Sequence, residues 1–147
     1  MSHSLLHQDV KLQLVSQLVY FDEEKTRFLD HYFPDHGRER NKVEQVLFVY
    51  SSVLEKIVND FNETTLHSSV IIGSRVKLRY LDDDYEESYT IVFPQQTDAG
   101  QNRISFLSPI GMQLLMTKKG ETYGLIVPSG EIKVKIEEVA YDNCGQI

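Results

Sequence analysis

The side chains that could carry catalytic or metal chemistry are few and lie far apart in this sequence. His3 and His7 have the spacing of two metal ligands on one helical face, but a surface histidine pair near a chain end is the simpler interpretation. His31 and His36 flank a predicted turn, and no cysteine is near enough to complete a zinc site. Cys144 has no adjacent base to activate its thiol. We therefore expect no catalytic residue, no metal site and no cofactor.

The densest acidic run is Asp82, Asp83 and Asp84, with Glu86 and Glu87 close behind. Carboxylates of this kind bind calcium, but the run lacks the regular ligand spacing and the glycine of an EF-hand loop. A solvated turn between two strands explains it better. The glycines stand apart from one another, so no glycine-rich loop for a phosphate is present.

Residues 5–33 have the apolar periodicity of an amphipathic helix. Steps of three and four residues produce a heptad seam with one polar interruption at Lys25. The apolar seam positions are Leu14, Leu18, Phe21, Phe28 and Tyr32. Pro34 should end this helix, because the residue before a proline is kept from helical dihedral angles. Asp35 is then the expected N-cap of the next helix.

A second helix is predicted from about Arg38 to Phe61 on the same grounds. Its seam positions are Val43, Val46, Tyr50, Val53 and Ile57, and Leu47, Leu54 and Phe61 widen the apolar stripe. Two helices of similar length joined by a tight turn indicate an antiparallel helical hairpin, a coiled coil over residues 1–66. The tip of this hairpin is the part where a function could lie.

Residues 67–147 change to the period-two alternation of strands after a polar segment, residues 62–65, that we interpret as a linker. Strands are predicted at residues 76–80, 88–93 and 103–107, and a short helix at residues 111–116. A final hairpin follows at residues 123–127 and 131–141. The expected fold class is α+β: a helical hairpin followed by a small antiparallel sheet domain with one short helix.

The net charge of −7 is spread over both halves of the chain. Lys and Arg number 7 against 11 Asp and Glu in residues 1–66, and 8 against 11 in residues 67–147. Because phosphate backbones are bound by clustered cations, DNA binding should be weak or indirect, and a protein partner with basic surfaces is favoured. No apolar run approaches the about 20 residues of a membrane helix, and no signal peptide is apparent. We expect a cytoplasmic protein without a membrane partner.

The second half resembles the C-terminal domain of the Gre-type transcription elongation factors. The most recognisable stretch is Ile-Ser-Phe-Leu-Ser-Pro-Ile-Gly at residues 104–111, followed by Leu114 and Leu115. The opening strands at residues 70–76 and 89–92 and the closing turn Pro-Ser-Gly-Glu at residues 128–131 also match, in family order. The family places a long helical hairpin before this domain, as the first half independently indicates.

The resemblance implies an FKBP-like sheet domain that docks on the rim of the secondary channel of bacterial RNA polymerase. The hairpin would then reach down the channel toward the active centre. The docking residues carried over by position are Ser108, Pro109 and Ile110. A purely structural role weighs equally: Ser108 would cap the short helix, Pro109 would take its first turn, and Ile110 would pack in the core.

Transcript cleavage in the family depends on an acidic pair at the hairpin tip, where carboxylates hold a second Mg²⁺ ion and a metal-bound water attacks the RNA. The family tip reads Gly-Asp, with Glu-Asn three residues after the Asp. Aligning Gly37 puts Arg38 at the Asp position and Asn41 at the Glu position. Aligning Asn41 with the family Asn puts Gly37 and Arg40 there instead. Neither alignment keeps the pair.

Two acids, Asp35 and Glu39, remain near the tip, and their structural roles would be an N-cap and a first-turn acid favoured by the helix dipole. Arg38 and Arg40 would repel a divalent cation. The expectation is therefore a factor that enters the channel and modulates elongation without stimulating cleavage, and that is not itself an enzyme.

Three alternatives stay open at the level of the sequence. Residues 75–78 and 90–94 also resemble the regulator of nucleoside diphosphate kinase, whose helical hairpin is much shorter. A peptidyl-prolyl isomerase is disfavoured. Isomerases of the FKBP kind bind proline in an aromatic pocket that commonly has a tryptophan at its floor, and this chain has no tryptophan. The third alternative is a structural adaptor whose hairpin pairs with another protein's helices or with a second copy of itself, because the hairpin is rich in aromatic residues: Tyr20, Phe21, Phe28, Tyr32, Phe33, Phe48 and Tyr50.

Overall fold

The computed structural model describes residues 3–142, with side chains described from residue 8 onward. The chain divides into two compact units, one that ends at Phe61 and one that begins at Asn62. The domain boundary predicted after residue 66 stays a prediction. None of the described helices is long and apolar enough to cross a membrane.

The first unit is made of helices α1 (His3–Glu23), α2 (Lys25–Tyr32) and α3 (Arg38–Asn59). α1 and α2 are separated by Glu24, which has φ −111° and ψ 8°. The Glu24 N–H donates to Tyr20 O at 2.7 Å, and its carbonyl accepts from the Phe28 N–H at 2.9 Å. The predicted polar interruption at Lys25 therefore falls at the first residue after a helix break.

The core of this unit is an apolar seam with one buried hydrogen bond. Its buried apolar residues are Leu14, Phe21, Phe28, Leu29, Val43, Leu47, Tyr50, Leu54 and Ile57. The Tyr50 hydroxyl donates to Gln17 Oε1 at 2.7 Å, and both side chains are fully buried. The seam of α3 is centred on Leu47 and Leu54, whereas the predicted seam residues Val46 and Val53 are half-buried.

The helices of the hairpin run antiparallel, as the contacts between them show. Near the turn, Asp30 of α2 contacts Arg40 of α3, and farther from it Gln17 of α1 contacts Tyr50 of α3. The aromatic side chains stiffen this arrangement through edge-to-face contacts, with Phe21 6.0 Å from the Tyr50 ring. The predicted helical hairpin is confirmed.

The second unit begins with the four-residue helix α4 (Glu63–Leu66), where the sequence suggested a linker. Asn62 Oδ1 accepts from the Thr65 N–H at 2.9 Å, and Thr65 Oγ1 accepts from the Asn62 N–H at 3.1 Å. This reciprocal capping box satisfies two donors at the start of the helix. Leu66 is buried at its end. The linker interpretation was wrong because side-chain capping, and not apolar periodicity, makes this turn helical.

The rest of the unit is a five-stranded sheet in the order β3-β2-β1-β5-β4. Its elements are β1 (Ser74–Tyr80), β2 (Tyr85–Val92), β3 (Arg103–Ser105), α5 (Pro109–Leu114), β4 (Thr122–Val127) and β5 (Gly130–Tyr141). Four strands pair antiparallel, as predicted, and the short β3 joins the edge parallel to β2. The α+β class is confirmed.

The sheet buries one face, and the alternation in β1 shows how. β1 lies between β2 and β5 in the sheet. Its residues Val76 and Leu78 are fully buried, whereas its residue Arg75 is exposed. The Phe93 and Phe106 rings meet edge to face at 5.7 Å within the core. The predicted acidic turn lies at residues 81–84, and Asp84 there adopts φ 51° to close the β1–β2 hairpin.

Candidate functional site

The short helix α5 begins with a tightly hydrogen-bonded turn at Ser108. The Ser108 Oγ accepts from the Gly111 N–H at 3.0 Å and donates to Ser105 O at 2.7 Å. Pro109 occupies the first helical position, where its missing N–H costs nothing. The structural roles predicted for Ser108 and Pro109 are therefore confirmed.

Gly111 is the residue that lets α5 approach the end of β3. A Cβ built at this position would lie 2.0 Å from Ser105 O and 2.8 Å from Ser108 Oγ. No side chain is compatible with such distances to a backbone oxygen, so the turn requires glycine here. Leu114 and Leu115, one turn further along, are buried and anchor the helix in the core.

The outward side of this turn presents Pro109 and part of Ile110. Pro109 is exposed, and Ser108 and Ile110 are half-buried. The expectation that Ile110 packs in the core holds only for part of its side chain. The three predicted docking residues thus combine a rigid backbone with an apolar surface that a partner could contact.

The other end of α5 is held by Gln113, which the sequence analysis missed. Its Nε2 donates to Pro109 O at 3.0 Å and to Ile126 O at 2.8 Å, and its Oε1 accepts from the Ile126 N–H at 2.7 Å. Nothing in the local sequence marks a glutamine as the partner of a strand 13 residues away. Only the tertiary structure brings them together.

The hairpin tip differs from the predicted arrangement in its cap. The N-cap of α3 is Gly37, with φ −137° and ψ −159° and no side-chain cap. Asp35 was the predicted N-cap, and this was wrong because it lies two residues too early. Its carbonyl instead accepts from the Gly37 N–H at 2.9 Å. Glu39 is in the first turn of α3, as predicted.

Arg40 is the one tip residue that is buried, with 7% of its surface exposed. Its Nη1 donates to Asp30 Oδ1 at 2.9 Å and to Phe33 O at 3.0 Å. It therefore compensates a carboxylate of α2 and one of the free carbonyls at that helix end. The side chain is directed into the hairpin, so the repulsion of a divalent cation that we expected from Arg40 does not apply.

The remaining tip residues are all exposed, namely Asp35, Gly37, Arg38, Glu39 and Asn41. Among the residues whose side chains are described, 8–142, no three His, Cys, Asp or Glu side chains are grouped to hold a metal ion. The side chains of His3 and His7 and the residue Cys144 lie outside this range, so their interpretation stays a prediction.

Among the described side chains, Tyr80 on the β1–β2 hairpin has the largest pKa shift, and its neighbour Tyr89 is shifted in the same direction. The hydroxyls of Tyr80 and Tyr89 both donate to Glu87 Oε1, at 2.8 Å and 2.6 Å. Burial first, and then the hydrogen bond to Glu87, raises the pKa of both tyrosines above the ordinary value of 10.0. Both hydroxyls therefore stay protonated at neutral pH, and they serve as donors and not as bases.

The aromatic residues of the hairpin are mostly used in its own core. Of the seven named above, Phe48 is highly exposed, at 74%, and the others are buried or half-buried. Val49 beside it is 51% exposed. Self-association through the hairpin stays a prediction, and this face of α3 is where it would occur.

Comparison with known proteins gives the family. The model for the C-terminal domain of the transcription elongation factors GreA and GreB matches residues 65–141, which is more than half of the chain. The chain belongs to the GreA/GreB family. The match covers the sheet, the turn at Ser108 and helix α5, so the geometry described above is that of the family's C-terminal domain.

Individual relatives agree with this placement. GreA of Helicobacter acinonychis is 38% identical over 76 residues, 52% of this chain and 46% of the relative. GreA of Desulfovibrio desulfuricans is 30% identical over 108 residues, 73% of this chain and 67% of the relative. The chain thus spans about half the length of the Helicobacter relative that it matches. Because both relatives are elongation factors, a regulator of nucleoside diphosphate kinase is not favoured.

A solved structure supports the fold. The transcription elongation factor GreA/GreB from Nitrosomonas europaea aligns with a TM-score of 0.56 at 22% identity, covering 81% of this chain and 93% of that one. At this identity the likeness concerns the fold alone.

The geometry at Gly111 makes a direct prediction for stability. We expect Gly111→Ala to lower the free energy of unfolding by about 1–3 kcal/mol, because the added methyl group must displace the Ser105 carbonyl. Urea denaturation monitored by circular dichroism measures this. Gly100→Ala is the control, since its Cβ would meet its nearest atom at an ordinary 3.4 Å. Equal stability of the two variants would contradict the proposed close approach.

Proposed function

We propose that this protein binds bacterial RNA polymerase at the secondary channel and modulates elongation without stimulating transcript cleavage. Membership of the GreA/GreB family supports the class of partner. The observation that carries the docking proposal is the turn at Ser108, which holds Pro109 exposed on a rigid backbone. A net charge of −7 favours a protein surface over direct contact with DNA.

The proposed docking surface suits a protein partner because its backbone is already ordered before binding. Ser108, Gly111 and Gln113 fix the backbone of the turn through hydrogen bonds within the unit. A preorganised surface loses little conformational entropy on binding, so contacts by Pro109 and Ile110 contribute most of their free energy to affinity.

The long helices of the hairpin support the proposal that it inserts into a channel. α3 contains 22 residues, which corresponds to about 33 Å at 1.5 Å per residue. The N-terminal end of α3, at the hairpin tip, is fixed by the hydrogen bonds of the buried Arg40 with Asp30 and Phe33 O. A tip of this kind can occupy a narrow channel and affect traffic through it.

The chemistry of the tip argues against cleavage stimulation. A second Mg²⁺ ion needs several hard oxygen ligands, and carboxylates supply them best. At the two positions of the family's acidic pair, this chain has Arg38 and Asn41 if Gly37 is aligned, or Gly37 and Arg40 if Asn41 is aligned, so neither alignment places a carboxylate there. Asp35 and Glu39 lie near these positions, but neither belongs to a metal-binding cluster of three or more His, Cys, Asp or Glu among the described side chains. We propose that the factor is therefore not catalytic, in itself or through the polymerase.

Docking is tested by binding to purified bacterial core RNA polymerase in competition with a Gre cleavage factor. We expect mutual displacement, and we expect Pro109→Ala to weaken binding about tenfold because an apolar contact of the fixed turn is lost. Pro128→Ala is the matched control, since Pro128 is exposed in the β4–β5 turn. Binding without displacement, or equal loss in the two variants, would contradict docking through this turn.

The cleavage proposal is tested on backtracked elongation complexes. We expect no Mg²⁺-dependent cleavage above the polymerase alone, and we expect the double variant Arg38→Asp/Asn41→Glu to gain it, because two carboxylates then stand at the family positions of the Gly37 alignment. Arg38→Asn/Asn41→Gln is the uncharged control. Cleavage by the wild type that is lost in Asp35→Ala or Glu39→Ala would show that the existing acids bind the metal and would overturn the proposal.

A further inference from the structure

Helix α5 is attached to both edges of the sheet, and the attachment to β4 has an unusual form. β3 and β4 are the two edge strands. In an antiparallel pair, every second residue directs its N–H and C=O away from the partner strand. Ile126 is such a residue on β4, and the Gln113 amide bonds to both groups, at 2.7 Å and 2.8 Å. A side chain thus takes the place that a further strand would have.

The same amide connects β4 to the docking turn. Gln113 Nε2 is 3.0 Å from Pro109 O and 2.8 Å from Ile126 O, so one donor holds the two backbones side by side. The Ile126 side chain is 61% exposed, whereas that of the preceding Leu125 is 3% exposed. A large exposed apolar side chain is therefore carried by a backbone that Gln113 holds beside the backbone of Pro109.

We propose that Ile126 is a further contact residue of the docking surface and that Gln113 is the positioning residue that holds it beside Pro109. The proposal rests on the proposed function, because RNA polymerase is the partner. Continuity with the turn at Ser108 is what assigns this occupant. Glu131 lies directly opposite Ile126 in the strand register and is exposed, so the complementary surface is apolar with a basic group at its rim.

Glutamine fits this position because the site needs a donor and an acceptor together. Glutamate at position 113 would keep the acceptor for the Ile126 N–H but would bring a carboxylate against the carbonyl oxygens of Pro109 and Ile126. The change is nearly isosteric, so it alters the relative placement of the turn and β4 without creating a cavity. Gln113→Glu is therefore the sharpest perturbation of the positioning contact.

The experiment measures the affinity of full-length variants for core RNA polymerase. We expect Ile126→Ser and Gln113→Glu each to weaken binding about tenfold. The controls are Leu81→Ser, which removes an exposed apolar side chain of the same unit, and Gln95→Glu, which adds the same charge at an exposed glutamine. Both should bind like the wild type. Circular dichroism and thermal unfolding confirm that each variant is folded at the assay temperature.

The double variant Gln113→Glu/Ile126→Ser separates positioning from a general effect on stability. If Gln113 acts by placing Ile126, the combined loss is about tenfold to thirtyfold, well below the product of the single losses. If Ile126→Ser weakens binding and the loss of affinity in the double variant equals the product of the two single losses, the positioning role of Gln113 is overturned. Wild-type affinity of Ile126→Ser alongside weakened Pro109→Ala would overturn this inference and leave the proposed function intact. No binding by the wild-type protein would overturn both.

Discussion

The close approach of α5 to the end of β3 is the constraint on which the second unit depends. Edge strands of a flat five-stranded sheet would be about 19 Å apart, at about 4.8 Å per strand. Helix α5 has six residues, or about 9 Å, yet it bonds to Ser105 at one edge and to Ile126 at the other. The sheet must therefore curl, and Gly111 allows the helix to sit close enough to hold it so.

This constraint explains how a stability element and the proposed docking surface share the same residues. Ser108 caps α5, and the cap leaves the ring of Pro109 exposed. Gln113 covers the polar edge of β4, which also protects an edge strand from pairing with other chains. The hairpin tip is similar: the buried Arg40 stabilises the turn by donating to Asp30 and to Phe33 O, and the neighbouring side chains stay exposed.

Much of the fold could be predicted from the sequence, because periodicity is a local signal. The steps of three and four located both long helices, and Pro34 and the strand alternation located their limits. The details that failed depend on tertiary contacts. Leu47 and not Val46 is buried because the facing helix sets the rotation of α3. Local sequence patterns do not reveal which segments meet in the fold. They therefore missed the parallel pairing of β3, the Arg40–Asp30 contact and the Gln113–Ile126 contact.

The candidate site was predicted in a similar, partial way. The resemblance supplied Ser108, Pro109 and Ile110 as docking residues, which stays a proposal, and the geometry showed that the first two have structural roles. At the tip, the pattern located the turn but misplaced the cap, because Asp35 and Gly37 are both good cap residues and only the path of the backbone distinguishes them.

A photo-crosslinking amino acid at position 38 would report where the hairpin tip lies on RNA polymerase. Arg38 is exposed at the tip, so the probe should not disturb the contact of Arg40 with α2. We expect crosslinks to polymerase segments that line the secondary channel, and we expect a competing Gre cleavage factor to suppress them. Crosslinks confined to the outer polymerase surface, or unchanged by the competitor, would contradict insertion of the hairpin into the channel.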